Sequence, residues 1–516
     1  MIKPRLTFAQ ILNMNVGFFG IQYSFGLQQS AVNPIYDFLG ASPDQIPLLN
    51  LAGPMTGLLI QPIIGAMSDK TWSPRFGRRK PYFFIGALMC SLALLVYPFS
   101  SSLWMAAGLL WILDVGNNTA MEPYRAFIAD KLDASQQPTG FQAQSFFTGL
   151  GQTLVNLSLF IFPLIFLGKT GSLPTWVYAS FFLGAICSIG SVWWSMKTTA
   201  EIPPSDEEMK IIDNYKKDNV SPIIQFLATI FLMTFVPFLS WIILGWIMYI
   251  FYFPPILLNF IPLLTFFFWI YILYKALKRK YENKTIQTIQ SIFQPFLEII
   301  EAIIDMPKIM WQLALVYLFQ WYALFCYWQN SSKSIAQSVY KTTTYQDNPL
   351  YNEAVSWTGL VNGWYNIVMF LVAFSLVYFA KKYSPKMVHA FCLVLAGLGF
   401  LAFPMIENKY LLFPAITGFG IGWASMMGIP YLMVVSAIPK ERYGVYMGII
   451  NMMIVIPMLI QTLTFGYILK HFLNNDPGKA ITFAGVLLLI AAGATLLIKS
   501  GKMTDNQEVK MGMGGH

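Results

Sequence analysis

The sequence is short of charge. Lys, Arg, Asp and Glu make up 11% of its 516 residues, where a soluble domain carries about 25%. That shortage excludes an ordinary water-soluble domain. The net charge of +9 does not point to nucleic acid, because the basic residues of a membrane protein gather on its cytoplasmic side. Cysteine is scarce as well. Cys90, Cys187, Cys326 and Cys392 all lie in apolar runs, which argues against disulfides and against a metal cluster. The three histidines, His389, His471 and His516, are scattered without the spacing of a metal site. There is no phosphate-binding P-loop, no HExxH and no Ser or Cys nucleophile signature. An enzyme is therefore not expected, and neither is a cofactor or metal. The alternation of an outer-membrane barrel strand is also missing. No small-residue cleavage site follows closely on MIKPRLTFAQ, so a cleavable signal peptide is not expected.

What is abundant is apolar. Hydrophobic residues make up 56% of the chain, and the mean hydropathy is +0.56. At roughly 20 residues per crossing, the runs predict spans over 10–38, 45–67, 82–99, 103–129, 141–167 and 174–196. A second set follows over 309–330, 355–379, 387–405, 411–437, 444–468 and 480–498. Between the sets, 223–274 carries no charge and is long enough for two more spans, broken near Pro254 and Pro255. Ile286, Ile289, Ile292, Phe293, Phe296, Ile299, Ile300, Ile303 and Ile304 then keep one face apolar over 285–305, an amphipathic helix.

The expected class is an all-α polytopic membrane protein of about 14 spans. Its parts are a bundle over 1–200, a link over 201–308 containing the insert, a second bundle over 309–500 and a tail over 501–516. Charge counting leaves open whether the insert crosses twice or re-enters as a hairpin. With both termini cytoplasmic, the outer loops hold only Lys169, Lys333, Lys341, Lys409, Lys470 and Lys479 of the 33 Lys and Arg, and Arg125 lies within a span.

The most informative stretch is 111-WILDVGNNTAMEPYRAFIADK-131. It takes Asp114, Glu122 and Arg125 into what should be hydrocarbon, at roughly 2.5 kcal/mol each or more. At 100° per residue, Asn118 and Arg125 fall on the Asp114 face and Asn117 flanks it. Asp114 and Arg125 are too far apart along the axis to pair, so Glu122, three residues before Arg125, is the expected partner. Such intramembrane charges mark ion and substrate pathways by default.

The two halves echo each other. Pro123-Tyr124 recurs as Pro430-Tyr431, each followed by a charged helix end and a Gly-containing restart. In the loop 65-GAMSDKTWSPRFGRRKP-81, Asp69 sits at a helix end beside a tight turn at Gly77, with Arg78 and Arg79 as possible partners. Together with Gly65 they look like a gating loop that latches two bundles. This loop, the first span GIQYSFGLQQSAVNPIYDFLG, the fourth-span stretch, and GIGWASMMGIPYLMVVSAIP with YGVYMGIINMMIVIP resemble the sucrose–proton symporter family of the major facilitator superfamily, in its bacterial form. The resemblance covers most of both bundles. Two departures stand out: Glu122, at a position more usually small in plant members, and the insert 223–274.

The resemblance implies a major facilitator fold of two pseudo-symmetric six-helix bundles. It implies import of a sucrose- or maltose-like disaccharide or glycoside by proton symport. Asp114 would carry the proton and bond sugar hydroxyls, Asn117 and Asn118 would be its polar neighbours, and Arg125 would be the family arginine. Sodium coupling or uncoupled carriage of a small polar solute remains the alternative. Beyond the fourth span, the amides and aromatics suited to sugar are Gln22, Gln28, Asn33, Gln144, Gln152, Asn156, Gln320, Trp321, Tyr322, Asn362, Trp364, Tyr365, Asn366 and Asn451. Trp311 and Trp328 are expected in the interfacial belt. The expected partners are a sugar and the lipid bilayer, without nucleic acid. The expected state is a monomer in a bacterial inner membrane.

Overall fold

The computed structural model describes residues 4–69, 71–133, 136–204, 303–434 and 443–498, with scattered positions between 206 and 301. Apart from scattered positions, the expected two-span insert over 223–274, the amphipathic helix over 285–305 and the tail over 501–516 lie outside the described residues. The chain divides into two compact units, one of Met1–Asp206, Ile309–Ala437 and Met453–His516, the other of Glu207–Lys308 and Ile438–Met452. Apart from Lys308 and residues 443–452, the first unit contains everything considered below.

Its helices are α1 (Phe8–Phe38), a single turn α2 (Ile46–Leu49), α3 (Ala52–Asp69), α4 (Lys80–Val96), α5 (Leu103–Lys131), α6 (Gln137–Ile165) and α7 (Thr175–Thr198). These form the first half. The second half has α8 (Lys308–Ser338), α9 (Pro349–Lys382), α10 (Pro385–Ala402), α11 (Leu412–Val434), α12 (Tyr443–His471) and α13 (Pro477–Leu496). A two-residue hairpin, β1 (Lys169–Thr170) against β2 (Leu173–Pro174), joins α6 to α7. Each half thus has six long helices, at the places the apolar runs predict. The ends differ most at α8, which runs on to Ser338, past residue 330. Lys333, expected in a loop, is therefore helical and buried.

Local chemistry starts several helices. Thr7 caps α1 in a reciprocal capping box with Gln10. Ser102 caps α5 by accepting from Met105 N, and Asp476 caps α13 by accepting from Gly478 N and Lys479 N. Pro385 and Pro477 take first-turn positions, where no N–H partner is lost.

Eight described helices are long and apolar enough to cross a membrane: α4, α6, α7, α8, α10, α11, α12 and α13. The four that fall short, α1, α3, α5 and α9, include α1 and α5, which carry the buried Asp37 and Asp114. Packing follows membrane rules: small residues face protein and large ones face outward. On α4, Gly86, Ala87, Cys90 and Ala93 are buried, while Ile85, Leu88, Leu92 and Leu95 are exposed. The α4–α5 crossing is a close case of this. A Cβ on Gly86 would meet Gly116 O at 2.5 Å, and one on Gly116 would meet Cys90 Sγ at 2.8 Å. That approach fixes the rotation of α5, and so the direction of its polar stripe.

In the first half, α1 lies against α6 and α7, and α5 against α3 and α4. In the second, α10 packs on α11 and α13, and α9 on α11. The halves meet where α9 lies along α6: a Cβ on Gly359 would meet Asn156 O at 2.8 Å.

Enlarging Gly86 to Val should push α4 off α5 and lower stability by about 2 kcal/mol. Gly108→Val, with nothing within 4 Å among the described residues, should leave stability unchanged. Thermal unfolding of the detergent-solubilised pair checks this.

Candidate functional site

Asp114 is 1% exposed, midway along α5. Gln28 of α1 donates from Nε2 to its Oδ1 at 2.7 Å. Its second oxygen, Oδ2, is buried and has no hydrogen-bond partner among the described residues. That oxygen lies toward Gly53 of α3, where an added Cβ would be 3.9 Å from it. A buried carboxylate oxygen without a donor is costly, by about 1–3 kcal/mol or more, and calls for an explanation. Among the described residues no cation pairs with it.

The neighbours complete a network across four helices. Asn117 donates from Nδ2 to Gln28 Oε1 at 3.5 Å, and its own Oδ1 accepts from Cys90 Sγ at 3.1 Å. Asn118 Nδ2 donates to Asp114 O at 2.9 Å and to Thr56 Oγ1 at 3.0 Å. Gln61 of α3 donates to Asn118 Oδ1 at 2.7 Å. The face predicted for α5 is therefore real, and α1 and α3 converge on it. Gln61, Thr56 and Gly53 were not among the expected residues. Gln61 is the only amide on α3, a signal available in the sequence; Gly53 and Thr56 offered none.

Further along α5, Glu122 and Arg125 form the expected pair, loosely, at 3.9 Å and with both side chains over a third exposed. Arg125 also reaches Met121 Sδ at 3.6 Å. Glu122 lies beside Gly65 of α3, where a Cβ would be 3.6 Å from its Cγ.

The other expected residues divide. Gln22 accepts from Gln152 Nε2 at 3.2 Å. Asn156 accepts from Ser30 Oγ at 2.8 Å, beside the glycines of α9. Both lie on the α1–α6 wall of the first half. Gln320 and Asn362 are tied within the second half. Gln320 Oε1 lies 3.2 Å from His389 Nε2, and His389 Nδ1 lies 2.7 Å from Ser425 Oγ. Asn362 accepts from Tyr327 Oη at 2.9 Å. Trp321 is 6% exposed, its indole N–H has no partner among the described residues, and its ring stands edge-on to Trp423 at 5.7 Å. Asn451 is exposed.

One belt assignment needs correction. Trp311 is exposed as expected, but Trp328 is interior. Its Nε1 donates to Tyr365 Oη at 3.3 Å, its ring meets Trp423, and its carbonyl accepts from Asn33 of the first half. Helix α8 extends eight residues beyond the predicted span, which moves Trp328 away from a membrane edge.

The loop between α3 and α4 is a compact device of the first half. Gly77 has φ +81°, and a Cβ there would meet Glu201 Oε1 at 2.5 Å. The Glu201 carboxylate accepts from the backbone N–H groups of Arg78 (2.7 Å), Arg79 (3.0 Å) and Lys80 (2.8 Å) at the start of α4. A carboxylate suits that position, because helix N-termini present unpaired N–H groups. Arg79 is 4% exposed; its Nε donates to Asp130 Oδ2 at 2.9 Å and its Nη1 to Ser68 Oγ at 2.6 Å. These partners all belong to the first half. Asp69 ends α3, and its side chain lies outside the described residues.

Removing the Glu201 acceptor by Glu201→Ala should cost about 2 kcal/mol of stability. Glu201→Gln, which keeps an oxygen for the N–H groups, should cost less. Denaturation of purified protein would separate the two.

The sequence profile of the Major Facilitator Superfamily matches residues 14–254 and 223–462. Sucrose transport protein SUC3 of Arabidopsis thaliana is 31% identical over 157 residues, covering 26% of this chain and 26% of that protein. Sucrose transport protein SUT1 of Oryza sativa subsp. japonica is 34% identical over 133 residues, covering 22% of this chain and 24% of that protein. The chain thus spans about a quarter of the length of these curated relatives. Among solved structures, the xylose transporter XylE from E. coli is similar with a TM-score of 0.57 at 13% identity, over 96% of this chain and 99% of that one. The nucleoside transporter NupG gives 0.58 at 12%, over 95% and 97%. At such identities the likeness is one of fold.

Proposed function

The chain belongs to the Major Facilitator Superfamily, and on that footing we propose that it is a secondary active transporter importing a disaccharide or related glycoside by proton symport. The observation that carries this is Asp114: buried, bonded once by Gln28, with its second oxygen unpartnered. Names of the similar plant proteins support sucrose-like sugars as the substrate class.

The mechanism follows from charge. An ionised Asp114 closed off from water is costly. A proton entering from outside removes the charge. The neutral acid can then donate to a sugar hydroxyl while its other oxygen keeps the Gln28 bond. Loaded and neutral, the site can close and reopen on the other face; empty and charged, it cannot close cheaply. That difference couples the two fluxes. Asn117, Asn118, Gln22 and Asn156 line the first-half side of the path, and Trp321, Gln320 and Asn362 supply the second. In this scheme both termini are cytoplasmic, the membrane is a bacterial inner membrane and the working unit is a monomer. Sodium in place of the proton, or uncoupled carriage, is the alternative; no metal-binding cluster occurs among the described residues, and Asp114 can serve a cation through its free oxygen.

Uptake of labelled disaccharide by a transport-deficient cell tests this between about pH 5 and 8 outside. Wild type should accumulate sugar best at low pH and lose accumulation with a protonophore. Asp114→Asn, permanently neutral, should lower accumulation by about tenfold or more, equivalent to about 1.4 kcal/mol, while retaining exchange. Accumulation by the mutant with the wild-type pH profile would remove Asp114 from the coupling role. Sodium dependence would favour the alternative.

A further inference from the structure

The halves are joined by polar contacts at the end opposite the termini. Asp37, in the last turn of α1, pairs with Lys333 of α8 at 3.4 Å, and the two side chains are only 2% and 1% exposed. Tyr351, in the first turn of α9 and fully buried, donates its hydroxyl to the other Asp37 oxygen. One carboxylate of the first half is thus held by two groups of the second. Aromatic rings wall it off: Phe38 stands edge-on to Tyr351 at 5.5 Å and to Trp176 at 6.3 Å, and Tyr345 leans on Tyr351 at 4.9 Å. Outside that wall are exposed ties, Lys169 with Asp347 and Lys470 with Asp44 at 3.5 Å, and the wall's own Trp176 donates from Nε1 to Asn352 Oδ1 at 3.4 Å. Below it, Ser356 donates to Phe160 O at 2.6 Å across the α6–α9 seam.

We propose that Asp37, Lys333 and Tyr351 are the outer gate of this carrier, a buried charged latch that shuts the path to the outside and is split each time that end opens. The inference rests on the alternating-access reading above and adds the residues that control one of its two openings. Its physical basis is the near balance of a buried ion pair. Desolvation roughly cancels attraction while the pair is intact, but a lone buried charge is strongly unfavourable. When the end opens, water re-solvates both charges, so opening is possible. A half-broken latch in a dry interface is not. The result is two well-separated states, as a gate requires.

The test uses a cysteine placed under the latch, Ser356→Cys, in the full-length protein in cells, labelled from outside by a membrane-impermeant maleimide. The same protein without Ser356→Cys sets the background of the native cysteines. With the latch intact, labelling should be slow. Asp37→Asn or Lys333→Gln alone should raise the rate on the order of tenfold. The double Asp37→Asn, Lys333→Gln, which leaves no lone charge, should return it toward the parent rate. Unchanged labelling in both single variants would overturn the proposal. So would a double variant whose effect is the product of the singles. If the single variants fail to reach the membrane, Tyr351→Phe decides, with faster labelling supporting the latch and an unchanged rate refuting it. Labelling needs no sugar, so an error in the substrate class leaves the outcome readable.

Discussion

A carboxylate in an apolar bundle is the constraint on which this molecule turns. Asp114 can stay buried only because the first half is built around it. Gln28 satisfies one oxygen, while Asn118 is itself anchored by Gln61 and Thr56. The small residues of the α4–α5 crossing matter for the same reason. If Gly86 and Gly116 did not let the backbones approach, α5 would rotate and the carboxylate would face lipid or α4. What the scaffold leaves undone is the second oxygen. In the proposed mechanism a proton or a sugar hydroxyl satisfies it, and the cost of leaving it bare gives the site its leverage.

The same economy of charge appears at the far end of the unit. There both Asp37 oxygens are satisfied, among the described residues by groups from the other half of the chain. One acid is thus served mainly within its own half, the other across the seam. The first can change partners while the halves stay together; the second can lose its partners only if they part. Between them, Asn156 of α6 accepts from Ser30 of α1 and lies against Gly359 of α9. The wall of the proposed sugar path is therefore also part of the seam, so a ligand bound there can bear on how the halves meet.

Much of the site was legible beforehand, for a simple reason. Residues on one helix have their relative angles fixed by the helix itself, so Asp114, Asn117 and Asn118 could be placed on one face without knowing any neighbour. Glu122 and Arg125 were paired on the same ground. Contacts between helices were not legible. Lys333 was placed among loop lysines, because lysine near a span end usually sits in water, and Asp37 had no visible partner 296 residues away. Trp328 was placed in the belt because α8 outruns its apolar segment. Gln320 was picked as an amide in a span, but nothing local showed that it would lie beside His389.

The sequence by itself determined that the chain is a bundle of membrane-length helices in two halves, and which face of α5 is polar. Hydrophobic length and helical period are local properties, carried by any stretch of about 20 residues. Only the tertiary structure decided what each polar face meets. It gave Gln28 to Asp114, put Glu201 over the start of α4, and joined Asp37 to Lys333 and Tyr351. Those pairings depend on which helices lie side by side and at what rotation. That is settled by close packing of small side chains over the whole unit, and no short stretch of sequence contains it.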